Sequence, residues 1–393
     1  MKNVAIACQG GGIHASFTVG VLSEILDYVE DKKLDSVEDK KFELVGLSGT
    51  SAGALCALMV WYGLASKKGS AGSARDAREG LNKFWKSFAA ESVAERILNF
   101  AAVSASKLRE VETSALRLQA PVFSLNPSGA ITQAVFAVLP QLGIRQEYFD
   151  LKKLLHVSCP DFESIDWSGL KTRLLVGATD VLNGIEAVFD SDLRKRNITK
   201  PVRDNWRMQV PLSLAGVAAS GTLPEILPAE RIDGTFYWDG LYSLNPPIRE
   251  FWKKNAKEFV DYVDMPDEIW VVRINPQQCR SEPQSHAAIE DRENELMGNL
   301  SLNKELDFIA HMNELIGALR EPDKYYKRII LRTIKMTRET ATKMDYASKF
   351  NRSSSFMDQL RLEGHETARQ WLRAWENGKA PCYPDDAGYE PRE

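Results

Sequence analysis

Gly49-Thr50-Ser51-Ala52-Gly53 fits G-x-S-x-G, the pattern of a nucleophile elbow. A serine on a tight strand-to-helix turn has its hydroxyl pushed out toward the reactants. Glycines at 49 and 53 permit the sharp backbone and a close approach by substrate. The flanks suit this reading. Glu43–Ser48 is a short, mostly apolar, strand-like run, and Ala54–Trp61 is apolar on every side, as in a buried helix. The same five residues would also serve a plain small-residue turn. The strand-turn-helix setting is what favours chemistry.

A second group is Gly10-Gly11-Gly12, between a strand-like Val4–Cys8 and a helix marked by Phe17, Val21, Leu22, Ile25, Leu26 and Val29. Backbone N–H groups at such a junction lack helical partners and attract anions. Those of Gly10, Gly11, Gly12 and Ile13 suit a phosphate or the oxyanion of a tetrahedral intermediate. The competing enzyme class is a dinucleotide-dependent oxidoreductase, because Gly10–Ala15 fits G-x-G-x-x-[GA]. That fingerprint also asks for an acid closing a second strand about 20 residues on. Here the interval falls on Asp31–Asp35, in a polar connector with no strand before it. The third group is Tyr237-Trp238-Asp239-Gly240-Leu241. Asp-Gly is by default a turn. Within reach of Ser51, however, the Asp239 carboxylate would orient the hydroxyl and take its proton.

These groups need a frame. Strand-like and helical runs alternate over the first 65 residues, and Arg173–Ala178 and Ile269–Ile274 read as further buried strands. The expected fold class is α/β, a mostly parallel sheet with helices on both faces, plus a helical C-terminal extension. Boundaries are expected after 276, where a polar linker with Pro283 runs to 290, and at 377. That gives a main domain over 1–276, a helical extension over 291–377 ending in an amphipathic helix with Leu360, Trp371, Leu372 and Trp375, and a loosely ordered tail over 378–393. Residues 66–148 read as mostly helical. Phe84, Trp85, Phe88, Ile97, Leu98 and Phe100 in this stretch suit helix packing first and an acyl-chain pocket second.

Composition narrows the partners. A net charge of −4 argues against a general nucleic-acid binder. Five widely spaced cysteines without a C-x-x-C pair read as reduced thiols. The five histidines make no metal-spaced pair, so no metal site is expected. The opening residues lack a signal-peptide pattern, and no apolar run is long enough to span a membrane. A cytoplasmic location is expected, with signal-less export left open. Arg194-Lys195-Arg196 reads as a solvated run that can also touch anionic headgroups.

In order and spacing, the three motifs resemble the patatin-like phospholipase family. Two further stretches add to the resemblance: Gly177-Ala178-Thr179-Asp180 with Asn183-Gly184, and Ala218–Pro224. The resemblance covers roughly residues 3–276. It implies a serine acyl hydrolase of phospholipase A or lysophospholipase type, acting on a lipid or lysolipid, with transient membrane-surface contact as an associated expectation. It also implies Ser51 as nucleophile, Asp239 as its dyad partner, the loop Gly10–Ile13 as the oxyanion hole, and no cofactor. One departure stands out. The family usually has Arg or Lys and then Gly where this chain has His14 and Ala15, so a fixed charge near the oxyanion is lost or made pH-dependent. The non-enzyme alternative, a lipid-binding protein on a degenerate hydrolase fold, takes His14 as its mark. No histidine is expected to act as the base.

Overall fold

The computed structural model describes residues 1–30, 41–65, 71–115, 145, 150–224, 227–252, 264–279, 282–284, 286–319 and 326–383. The connector with Asp31–Asp35, part of the Gly/Ser loop after 65, most of 116–149 and the tail from 384 lie outside them.

In chain order the strands are β1 (Lys2–Cys8), β2 (Phe42–Thr50), β3 (Arg173–Asp180), β4 (Ile185–Asp190), β5 (Val202–Asp204), β6 (Arg207–Pro211), β7 (Glu230–Ile232), β8 (Thr235–Asp239), β9 (Glu268–Arg273) and β10 (Ile330–Lys335). The helices are α1 (Ser16–Glu30), α2 (Ala52–Leu64), α3 (Ala74–Ser87), α4 (Val93–Ala115), α5 (Leu151–Ser158), α6 (Ser191–Lys195), α7 (Leu214–Ser220), α8 (His286–Ala318), α9 (Arg338–Ala341) and α10 (Ser354–Glu376). All the strands form one sheet in the order β10-β9-β1-β2-β3-β4-β6-β5, with β8 also on β3 and β7 on β8. The run from β10 to β3 is parallel, as the alternation of strand and helix requires. β4 turns back antiparallel on β3.

The period of two along each strand sorts residues onto the two faces. On β1, Val4, Ile6 and Cys8 join the core formed with α1 and α2, while Ala5 and Ala7 face the core that holds Leu302, Leu306 and Ile309 of α8. On α1, Phe17, Val21, Leu22, Ile25 and Leu26 recur at helical spacing and are buried. Each large apolar side chain buried in this way contributes about 1.5–3 kcal/mol. α2 is buried almost all round, as its composition indicates. All the cysteines are free thiols, and burial pushes the Cys8 thiol up to about 12.

The C-terminal part is helical, and it also adds a strand. β10 pairs parallel with β9 in a stretch that reads as helical and charged. Its Arg332 is buried because Nε donates to Glu268 Oε2 at 2.8 Å, and that carboxylate also receives the indole N–H groups of Trp270 and Trp375. α10 carries Leu360, Trp371, Leu372 and Trp375 into the same core as α1. The two helices touch backbone to backbone. A Cβ on Gly20 would lie 2.0 Å from the Arg361 carbonyl oxygen, and one on Gly364 would lie 2.1 Å from that of Phe17. α8 covers the other face and is tied down by Glu305. Its carboxylate accepts the Ile248 and Arg249 N–H groups at 2.8 and 2.9 Å and pairs with Arg207 at 2.7 Å. Burial opposes the charged form of Glu305, but Arg207 and these N–H groups hold it below the ordinary carboxylate value.

Candidate active site

β2 delivers Ser51 directly into α2. Ser51 has φ 55° and ψ −130°, a left-handed conformation that costs a non-glycine residue energy and is typical of a residue held for function. Its N–H donates to Ser220 Oγ at 2.9 Å, and Ser220 Oγ donates to the Gly177 carbonyl at 2.6 Å. The flanking glycines are needed for close packing. A Cβ on Gly49 would lie 2.4 Å from the Gly53 carbonyl oxygen, and one on Gly53 2.2 Å from that of Cys8. A side chain at Gly49 would force the end of β2 away from the start of α2, and one at Gly53 would push α2 off β1.

Asp239 ends β8 and is fully buried. One edge of β3 carries two strands in succession. Thr50, the last residue of β2, pairs with Gly177, and Asp239, the last of β8, pairs with the next residue, Ala178. β2 runs parallel to β3 and β8 antiparallel, so the two strands meet end to end on adjacent rungs. The residue after Thr50 is Ser51. Gly240 follows Asp239 because a Cβ there would lie 2.5 Å from the Gly177 carbonyl oxygen and 2.9 Å from Thr50 Cγ2. Asp239 Oδ1 accepts the Leu241 N–H at 2.8 Å, and its backbone N–H donates to the Thr222 carbonyl at 2.9 Å. The loop beyond is pinned to β2. Thr50 Oγ1 donates to the Leu244 carbonyl at 2.5 Å, and Ser48 Oγ donates to that of Pro247.

The glycine loop closes the third side. Gly12–Ala15 is one turn of 3-10 helix, and Gly12 has φ +58°. A Cβ on Gly10 would lie 2.8 Å from Ser51 Cβ, so the loop rests on the elbow itself. The Gly10 N–H donates to Asn245 Oδ1 at 2.6 Å and is occupied by that bond. Gly11, Gly12 and Ile13 then carry the N–H groups that open the turn.

His14 bears no charge at ordinary pH. It is buried, its Nε2 lies 2.8 Å from Ser348 Oγ, and burial with the nearby Lys349 cation lowers its pKa to about 3. The other described histidine rings have separate settings. His365 Nδ1 lies 3.3 Å from Glu24, His311 is exposed beside Glu314, and His156 is exposed on α5. The aromatic and apolar residues of α3 and α4 do not share one environment. Phe84 and Trp85 are core, while Ile97 and Phe100 are 64% and 73% exposed. The basic run is engaged locally. Arg194 pairs with Glu163 at 2.7 Å, Lys195 donates to the Leu170 carbonyl at 2.8 Å, and Arg196 lies 3.6 Å from Asp192. Among the described residues, no helix is long and apolar enough to cross a membrane.

Ser220 lies within the Ala218–Pro224 stretch, but sequence patterns do not single out Gln9, Asn245, Asn275 or Asn299, which surround the elbow and the loop. Their only sequence signal is a polar residue at the end of an apolar run, as Gln9 stands after β1.

The model of the patatin-like phospholipase family matches residues 6–252, more than half of the chain and every motif described above. The chain belongs to that family. As a patatin-like protein it is a lipid acyl hydrolase, and its substrates are lipids. The match ends before β9, so α8, β10 and α10 lie outside it. Among solved structures, VipD from Legionella pneumophila is similar over 95% of this chain and 67% of that one, at 14% identity and a TM-score of 0.37. No relative is found among the curated proteins.

Proposed function

We propose that this patatin-like protein cleaves carboxyl esters of phospholipids or lysophospholipids through a Ser51–Asp239 dyad. Ser51 Oγ attacks the ester carbonyl and Asp239 takes its proton. The N–H groups of Gly11, Gly12 and Ile13 receive the negative charge that develops on the carbonyl oxygen, and the N-terminus of α2 adds its dipole. The intermediate collapses, and the leaving alcohol takes the proton back from Asp239. Water then gives a proton to Asp239 and attacks the acyl-enzyme, which releases the fatty acid and restores Ser51. The observation that carries this reading is the end-to-end meeting of β2 and β8 on adjacent rungs of β3.

The test is covalent. An organophosphonate probe should label Ser51 stoichiometrically, as mapped by peptide mass spectrometry, and Ser51→Ala should abolish both the adduct and fatty-acid release from lysophospholipid. An adduct at another serine, or none on folded protein, would overturn the assignment.

A further inference from the structure

Four primary amides are buried around the base of the glycine loop. Gln9, Asn245 and Asn299 are at most 1% exposed, and Asn275 is 7% exposed. They form a continuous set of contacts. Asn245 Oδ1 accepts the Gly10 N–H at 2.6 Å, and Asn275 Nδ2 donates to the Gly10 carbonyl at 2.9 Å, so both polar groups of that peptide are held. Gln9 Oε1 accepts the N–H groups of Ile274 and Asn275 at 3.0 Å each, while its Nε2 donates to Asn299 Oδ1 at 2.9 Å. Asn299 Nδ2 donates onward to the Pro276 carbonyl at 2.8 Å. A primary amide accepts from two backbone N–H groups through its oxygen and donates through its nitrogen, as Gln9 does here. A carboxylate would lose the donor, and an apolar residue would leave buried backbone groups unpaired.

Asn299 belongs to α8, and the neighbouring Gly298 carries a second contact. A Cβ on Gly298 would lie 2.6 Å from Asn245 Nδ2, an atom without a hydrogen-bond partner among the described residues. Asn245 thus fills the notch left by the absent side chain. α8 thereby backs the glycine loop twice, through Asn299 to Gln9 and through Gly298 to Asn245.

We propose that these four amides are positioning residues for the oxyanion loop, and that α8, outside the family match, sets the loop's catalytic geometry. The inference rests on the reading of Gly11–Ile13 as oxyanion donors. Buried hydrogen bonds of this kind, each end held by the fold, rigidify the peptide they hold. Donors fixed before the reaction are worth more than donors that must be collected during it.

The test uses the full chain and two remote variants, Asn299→Leu and Gly298→Ala. Kinetics on a fluorogenic ester are read alongside peptide-level hydrogen exchange. Each variant is expected to lower kcat about tenfold, less than the loss of a whole oxyanion donor. KM should stay within about twofold. Exchange should quicken in the peptide covering residues 9–17 and not across the rest of the molecule. Wild-type kcat in both folded variants would overturn the proposal. So would a loss accompanied by faster exchange throughout, or failure of both to fold, since either would make the amides ordinary supports of the fold. If only one folds, that one decides. Gly12→Ala, measured in parallel, separates the two layers. Wild-type kcat there would remove the oxyanion reading itself, whereas a large loss there beside unaffected α8 variants would remove only the positioning role.

Discussion

Replacing Asp239 by Asn removes a base while leaving shape almost unchanged, and the structure bounds both consequences. Asp239 Oδ1 accepts the Leu241 N–H at 2.8 Å, a bond that an amide oxygen can also accept. The loss is the difference between a charge-assisted and a neutral hydrogen bond, about 1 kcal/mol. The backbone bonds of Asp239 to Thr222 and Thr179 do not involve the carboxylate. From this bond, stability should fall by about 1 kcal/mol. Asp239→Ala also loses the acceptor for Leu241, at a further cost of about 1 kcal/mol. Activity should behave differently. Without a general base, kcat/KM should fall about 10²- to 10⁴-fold, a barrier increase of roughly 3–5 kcal/mol. The Asn and Ala variants should be similarly inactive although they differ in stability. The assay is kcat/KM on a fluorogenic ester, with urea melts of all three proteins. Near-wild-type turnover in the Asn variant would refute the reasoning. Two other acids, Asp180 and Asp233, offer no ready substitute. The Asp180 carboxylate is bonded to the N–H groups of Leu182 and Asn183 and to the Asn183 amide, and Asp233 lies in the β7–β8 turn, at the opposite end of β8 from Asp239.

Two predictions concern the frame. Gly20→Ala in an ordinary helix interior would stabilise by about 1 kcal/mol. Here the new Cβ would lie 2.0 Å from the Arg361 carbonyl oxygen, so α1 and α10 must part and stability should drop by about 1–3 kcal/mol. A raised melting temperature would show that the helices do not touch as described. His14 is neutral in the folded chain down to about pH 3 but titrates near its ordinary 6.5 when unfolded. Its depressed folded value gives no pH dependence above about 6.5. As pH falls below that, only the unfolded chain gains the proton, and stability is lost by up to about 1.4 kcal/mol per pH unit until the folded ring protonates. His14→Gln should flatten that slope by one proton in urea melts between about pH 4 and 6, and an unchanged slope would mean that His14 is not buried as a neutral ring. The same variant should leave the neutral-pH rate largely intact, because no cation is lost.

The sequence alone determined the local devices. A nucleophile elbow is legible because it is a backbone requirement. Gly49 and Gly53 admit a close approach, apolar runs flank them, and all of it falls within about twenty residues. The buried faces of α1, α2 and α10 were legible for the same reason, since periodicity is a property of one element. Asp239-Gly240 was visible as a motif but equally as a turn. Only the rung of β3 on which β8 ends brings it to the elbow. The tertiary structure alone decided what long-range partners decide. Gly10 meets Asn245 and Asn275 across 235 and 265 residues, and Gln9 meets Asn299 across 290. The charge state of His14 depends on burial beneath Ser348 and Lys349, both far along the chain, and no local pattern distinguishes that ring from a titrating one. β10 is not legible because its polar Arg332 looks solvated until Glu268 accepts its guanidinium, and the Trp371 indole N–H that donates to the Thr333 carbonyl comes from a distant helix. Local sequence encodes backbone conformation and which face is apolar. A polar side chain's partner is chosen by strand order and helix packing, which bring together groups hundreds of residues apart.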